Sequence, residues 1–570
     1  MAVRLNDITL EKFKAYNEKQ SIDLSDINIL MGANSSGKSS CIQSLLALKQ
    51  TCESGQEHIG LLLNGKYVTL GSFSDVVNEI AHEKDHFAIQ MGVEAGKDEE
   101  AAEKMTIRWE FGRNDEFING VELRKIEFSE ASNISIQLEE NNQYSVLING
   151  KRQKVKAELN NMFVSYIIFP YDREYDKILQ DFIKETINWI CGLEKNIVTI
   201  KKDILVSSQI TRLSTSLFSK LQKQPRTSNA EEHFGKAATV FSHIMEMLRR
   251  QDDSLDESQA ILFLPSMLMK DLDYRGFDEI WERYKGKKPG TQEEYVSYNR
   301  ISLEQFLSTR AKGKKGDIKL WPLIKSYNEF VRKLVSGIRY LGPLRENPKS
   351  LYQWDIDIDP NYVGTRGEHF PSVLTTIENK LIMTMLPDFE KQEEILFSDA
   401  LGIWCQYLKV ASEIHVDSSY SFGMNIRVHN INDSKADIMN VGIGTSQVLP
   451  VLIMGLISPD DSILIYEQPE LHLHPYSQSR LVDFFIAMSK LGKQIIIETH
   501  SEYMLHRFRY HLLKGRVQED KVCLNFFANK EEGTFVYAGR LGKNGEIDYP
   551  KDFVDQNQSL FFEMLNAKEN

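Results

Sequence analysis

Residues 27–39 read Ile-Asn-Ile-Leu-Met-Gly-Ala-Asn-Ser-Ser-Gly-Lys-Ser, and this stretch decides the fold. Its first five residues are strand-like and pass directly into Gly32, Gly37, Lys38 and Ser39 at the spacing G-x-x-x-x-G-K-[ST], the phosphate-binding loop. Glycines let the backbone curl so that successive N–H groups point inward at phosphate oxygens. The expected phosphate contacts are Gly32, Asn34, Ser35, Ser36, Gly37, Lys38, Ser39 and Ser40. Lys38 adds a mobile positive charge at the β- and γ-phosphates, and the Ser39 hydroxyl suits Mg²⁺. A helix should follow, its positive end aimed at the anion, with Cys41, Ile42, Leu45, Leu46 and Leu48 as an apolar face.

Such a loop needs an acid at the end of a neighbouring buried strand. Ile463-Leu-Ile-Tyr466 is a continuous apolar run ending in Glu467-Gln468-Pro469-Glu470, 428 residues after Ser39. Glu467 is therefore expected to hold Mg²⁺ through water. A third run, Gln494-Ile-Ile-Ile-Glu-Thr499, ends at His500. Between these two strands, 475–491 reads as a helix stopped by Gly492. Strand, helix, strand is a right-handed crossover in a parallel sheet, and ligands of such sheets bind at the carboxyl ends of the strands. His500, at one such end, is expected to contact the γ-phosphate.

Together GANSSGKSS, EQPELHLHP and IIIETHSEYML resemble the ABC-type ATPase heads of the SMC, RecF and OLD group. The nearest resemblance is to bacterial AAA-type ATPases of anti-phage defence, such as the PtuA ATPase of Septu. ITLEKFKAY fits the family's first strand, and LNGKYVTLGSF (63–73), YLGPLRENP (340–348) and VGTRGE (363–368) are further matches. LGKNGEIDYPKDFVDQ resembles a small domain often attached to these ATPases. The resemblance implies an α/β fold: an ABC-type P-loop head of mostly parallel sheet flanked by helices, with an antiparallel β-subdomain.

It also implies a signature motif at Gly442-Ile-Gly444-Thr-Ser446-Gln447, which in the family starts a helix and touches the γ-phosphate of ATP bound by the other subunit. The residues agree: Pro450 suits a first helical turn, and Val448, Leu449, Val451, Leu452 and Met454 form a buried face. The plainer reading is a glycine turn capping a core helix. If the motif acts in trans, the active species is a homodimer with two ATP molecules between heads, and Leu473-His474-Pro475 lies at the interface. One departure matters: family heads place a second acid after the first as the base, and here that position is Gln468. An amide cannot accept the proton. Glu470 is the substitute base or has a helix-end or interface role. Slow hydrolysis, with ATP as a long-lived clamp, is the other consequence. Arg345 is expected in a structural turn after Gly342-Pro343, with a phosphate or partner contact as its alternative.

The resulting organisation is 1–80 as the N-terminal lobe, 81–156 as a β-rich subdomain, 157–337 as a large, mainly helical insertion, 338–517 as the C-terminal lobe, and 518–570 as a small C-terminal domain. No heptads persist, so long coiled-coil arms are not expected. The net charge of −13 excludes a uniformly basic nucleic-acid binder, but it averages unlike parts. Residues 151–340 hold 33 Lys+Arg against 25 Asp+Glu, and the rest 35 against 56. Two basic clusters, Arg283, Lys285, Lys287, Lys288 and Arg310, Lys312, Lys314, Lys315, are either solvated loops or a nucleic-acid surface.

Five scattered cysteines suggest a reducing compartment. The opening MAVRLNDITLEKF lacks the pattern of a secretion signal, and the longest apolar stretch, 448–457, is far short of the ~20 residues that span a bilayer. The expectation is a cytoplasmic ATPase using ATP and Mg²⁺. By resemblance it is a subunit of an anti-phage complex whose head dimerisation controls a separate effector, a nuclease. The alternative is a RecF-like repair ATPase that binds DNA through the basic insertion.

Overall fold

A computed structural model of the chain describes residues 3–54, 60–81, 84–96, 103–114, 120–129, 133–139, 143–172, 296–302, 320–353, 359–389, 391–417, 423–429, 434–539 and 546–547. It divides into two units, the first holding residues 1–152, 159–164 and 323–570, the second 153–158 and 165–322.

The first unit carries a six-stranded sheet in the order β12 (Ile338–Leu341), β18 (Ile463–Glu467), β19 (Gln494–Glu498), β3 (Ile27–Gly32), β20 (Val522–Lys530) and β21 (Gly533–Gly539). The first five run parallel, and β21 returns antiparallel on β20. Every residue of β3, β18 and β19 is buried. That follows from their unbroken apolar runs, which demand cover on both faces. Helices α1 (Lys38–Glu53), α6 (Ile443–Ile457) and α7 (Pro475–Lys490) provide cover, with Cys41, Ile42, Leu45, Leu46 and Leu48 buried on α1 as anticipated. Shorter helices are α2 (Phe73–Val76), α4 (Phe370–Ile377), α5 (Phe397–Tyr407) and α8 (Glu502–Leu513), and α3 (Leu320–Gly337) leads into β12.

A second sheet of this unit is antiparallel. Its strands β8 (Tyr144–Ile148), β7 (Asn133–Leu138), β6 (Val121–Ser129), β5 (Glu103–Arg113), β4 (His86–Ala95), β1 (Val3–Glu11) and β2 (Gln20–Asp23) lie in that order. The strand-like runs at 105–111, 133–138 and 144–148 thus all form strands. Smaller sheets pair β13 (Leu381–Met385) with β14 (Gln392–Leu396), and β15 (Glu413–Asp417), β16 (Asn425–His429) and β17 (Lys435–Asp437) in series. The architecture is the expected α/β one: a mostly parallel sheet flanked by helices, with an antiparallel β-subdomain.

Three expectations change. Strand structure continues past 156 through β9 (Lys151–Asn160) and β10 (Phe163–Asp172), because Val155, Ala157 and Leu159 alternate with polar residues and Asn161 turns the chain at φ 53°. In the second unit, β10 pairs antiparallel with β11 (Val296–Ser302). The remainder of the expected helical insertion at 173–295 and 303–319, with both basic clusters, lies outside the described residues, as do 540–545 and 548–570. Within the expected C-terminal domain, 522–539 instead extends the central sheet, with Val522 to Phe527 registered on Ile27 to Gly32. Pro450 lies inside α6, not in its first turn, because the helix already begins at Ile443. Its ring packs against Gly367, where an added Cβ would come within 2.7 Å. No helix among the described residues is long and apolar enough to cross a membrane.

Gln494 joins the two sheets. Strand β2 pairs β1 only from Asp7 to Leu10, so the outer N–H and C=O of Leu5 lack a strand partner. The buried Gln494 side chain takes both: its Oε1 accepts from Leu5 N (3.0 Å), and its Nε2 donates to Leu5 O (2.7 Å) and Ser25 O (2.8 Å). Gln494→Ala should therefore lower unfolding free energy by about 2 kcal/mol through unpaired buried backbone groups. A urea titration followed by tryptophan fluorescence measures this, and an unchanged midpoint would count against the bridge.

Candidate functional site

The loop from Gly32 to Ser39 turns from the end of β3 into α1. Gly37 precedes the helix at φ 98°, a left-handed conformation that favours glycine, and a Cβ there would lie 2.6 Å from Thr534 Oγ1. Thr534 holds the loop in turn by donating to Ser36 O (3.0 Å), and Tyr16 OH donates to Gly37 O (2.9 Å). The loop therefore leans on β21 and on the β1–β2 connection. Lys38 is folded back, its Nζ donating to Gly32 O (3.0 Å) and Ala33 O (2.7 Å). Burial lowers its pKa, partly offset by Glu498 and Glu467.

Parallel register brings the acids to this loop. Glu467 pairs with Glu498 across β18 and β19, and Glu498 with Leu30 across β19 and β3. Ser39 Oγ donates to the Glu498 carboxylate, at 3.1 Å and 3.4 Å from its two oxygens. Glu467 is buried and accepts from Tyr340 OH at 2.9 Å. Burial, and then the charge of Glu498, push its carboxyl up to about 7.

The residues after Glu467 form a strained turn. Gln468 has φ 44° and donates its N–H to Glu498 O at 2.7 Å. Arg345, nearly fully buried, grips this turn through Gln468 O (2.9 Å) and Glu467 O (3.1 Å), which realises the structural reading of that residue. Glu470 Oε1 accepts from Thr499 Oγ1 (2.7 Å) and His500 N (3.0 Å). Glu470 thus holds the turn into α8 that presents the exposed His500.

An open cleft of about 570 Å³ lies over the loop. Asn34, Ser35, Ser36, Gly37, Lys38, Ser39 and Ser40 line it, together with Gln468. Glu467, Glu470 and His500 are outside this lining, and so is the stretch from Gly442 to Gln447. That stretch begins α6 with Gly442 and Ile443 exposed, whereas Ser446 and Gln447 are buried. Ser446 Oγ donates to Ile443 O at 2.8 Å. Sequence reasoning missed Glu498 and four further residues of the lining, Lys14, Asp75, Asn78 and Glu79. Lys14 belongs to the ITLEKFKAY stretch, but Asp75 and Asn78 carry no phosphate pattern.

The donor set fits a hard divalent cation: a serine hydroxyl and carboxylate oxygens from two adjacent strand ends. Among the described residues, no separate cluster of three or more His, Cys, Asp or Glu residues offers another metal site.

A family model described as an AAA ATPase domain matches residues 4–505. No curated protein matches the chain. Among solved structures, the chain is similar to the Smc head domain of Pyrococcus furiosus, with an extended coiled coil and bound to the C-terminal domain of ScpA. That likeness has 12% identity, 99% coverage of both chains and a TM-score of 0.35. The SMC head domain from Thermotoga maritima is 9% identical, with 94% of this chain and 98% of that one covered at a TM-score of 0.32. At these scores the likenesses add nothing to the strand order and loop geometry above.

The raised carboxyl of Glu467 has a consequence for stability. In the unfolded chain a glutamate releases its proton near 4.5, but here it does so at about 7. The folded state therefore binds more protons across that window, and stability falls as pH rises through it. Glu467→Gln should stabilise the nucleotide-free protein at pH 8 by on the order of 2 kcal/mol, with the gain vanishing toward pH 4. Calorimetric scans at both pH values measure this. Equal melting of variant and parent at pH 8 would contradict it.

Proposed function

The chain belongs to the AAA ATPase domain family, and on that premise we propose that it binds and hydrolyses ATP as a pair of heads. Each head offers its cleft to one nucleotide and its Gly442–Gln447 helix end to the other. The observation that carries this reading is the exposed start of α6, with a helix N-terminus suited to phosphate, outside the cleft of its own chain.

Backbone N–H groups from Gly32 to Ser40 and the Lys38 ammonium bind the phosphates. Ser39 and Glu467 would hold Mg²⁺, and the cation would supply positive charge beside the phosphates. Tyr340 and Arg345 fix the Glu467 carboxylate and the turn behind it. Gln468 lines the cleft, where its amide can orient a water but cannot take its proton. Turnover is accordingly slow, and bound ATP acts as a clamp. His500 stands at the end of β19 to meet the γ-phosphate side of the nucleotide, on a turn held by Glu470. The resemblance to anti-phage ATPases supports a further step, in which the closed pair controls a separate nuclease.

Gly442 offers a clean test of the pair. It has φ −57°, and an added Cβ would meet nothing within 4 Å, so Gly442→Glu fits the isolated chain. It should abolish ATP-induced dimerisation, followed by light scattering, without lowering the melting temperature. Undiminished dimers would reject the arrangement. Gln468→Glu should raise steady-state turnover by about tenfold or more by restoring a base; a rate equal to the parent's would remove Gln468 from the chemistry. Tandem purification decides the finer reading: a co-purifying nuclease supports effector control, and nucleic acid alone supports the RecF-like alternative.

A further inference from the structure

Glu498 stands on the one hydroxyl that a P-loop reserves for its cation. Its two oxygens lie 3.1 Å and 3.4 Å from Ser39 Oγ, and it is the carboxylate at the end of β19 that lines the cleft. Glu467, by contrast, lies on the next strand, is tied to Tyr340 and is outside the cleft lining. The two acids occupy the same rung of adjacent parallel strands, so their side chains project to the same face of the sheet. Glu498 itself is 4% exposed, and the positive charge nearest to it is Lys38, whose ammonium is spent on two backbone carbonyls. Two buried carboxylates share one rung: Lys38 acts on both and Arg345 on Glu467, whereas Glu498 alone meets the serine hydroxyl.

From this juxtaposition we propose that Glu498 is a second acidic ligand of the divalent cation. The site thus binds its cation through Ser39 and two strand-end carboxylates, rather than through Ser39 and Glu467 alone. This rests on the nucleotide-site reading above and deepens it. Two consequences follow. Nucleotide binding depends on the cation more steeply than a one-acid site requires, because without it the phosphates face two buried negative charges. The Ser39 hydroxyl would also exchange its hydrogen bond to Glu498 for a place beside the same cation.

The test uses the full chain and ADP, so that no turnover is needed. Calorimetric titrations with ADP are run in Mg²⁺ and in EDTA, and Mn²⁺ binding in the presence of ADP is followed by electron paramagnetic resonance. For Glu498→Gln, the ratio of ADP affinity with Mg²⁺ to that without it should fall about tenfold or more. Its Mn²⁺ affinity should fall in parallel. Glu498→Asp keeps the charge and should retain most of both, which a packing role alone would not produce. A parental Mg²⁺ ratio and Mn²⁺ affinity in Glu498→Gln overturns the proposal. Equal losses in the Gln and Asp variants also overturn it. If the parent binds no ADP under either condition, the nucleotide-site reading fails first and this inference falls with it.

Discussion

The pairing of β19 with β3 on one side and β18 on the other makes three distant stretches of sequence into one site. Because parallel register is fixed by hydrogen bonds along the whole strand, it sets where each strand ends relative to its neighbours. Here the ends fall so that the loop after Gly32, the carboxylate of Glu498 and that of Glu467 come together. A slip of one residue in β19 would send Glu498 to the opposite face of the sheet and bring Ile497 or Thr499 to the loop. The apolar faces of α1, α6 and α7, buried against these strands, hold the register in place.

That arrangement concentrates negative charge in a buried place, and much of the surrounding polar architecture offsets it. Tyr340 donates to Glu467, Arg345 draws the strand-end carbonyls together, and Lys38 lies close to both acids. Burial pulls the Arg345 guanidinium down to about 10 even with Glu470, Tyr340 and Glu467 working against the shift. Each of these groups would be costly to bury alone, and each is tolerable because the others are present. The two acids, the lysine, the arginine and the tyrosine therefore stand as one mutually dependent group.

Much of this is legible in the amino-acid sequence itself. The loop at 32–39, the strands before Glu467 and His500, and the helix at 475–490 all announce themselves through local pattern, and unbroken apolar runs mark the buried parallel strands. What escaped depends on contacts between remote segments. Val522 to Phe527 looks like any short strand until its partner is known to be β3. Glu498 is an unremarkable acid two residues before His500 until Ser39 is seen beside it. The end of β9 is obscured by Lys154, Lys156, Glu158 and Asn160, polar residues on alternate positions that interrupt hydrophobicity without breaking the period of two. Pro450 misled for the opposite reason, since proline is normally a marker of helix starts, and the packing of Gly367 on its ring accommodates it inside α6.

That proline has a mechanical consequence. Its nitrogen carries no hydrogen to offer the carbonyl of Ser446, so α6 lacks one rung of its own ladder between its exposed beginning and its buried remainder. Kinks in helices gather at such positions. The missing rung falls where Thr445 and Ser446 are buried and bonded through their hydroxyls to Val410 O and Ile443 O. Side-chain hydroxyls therefore anchor the start of α6 at the point where its own ladder is interrupted.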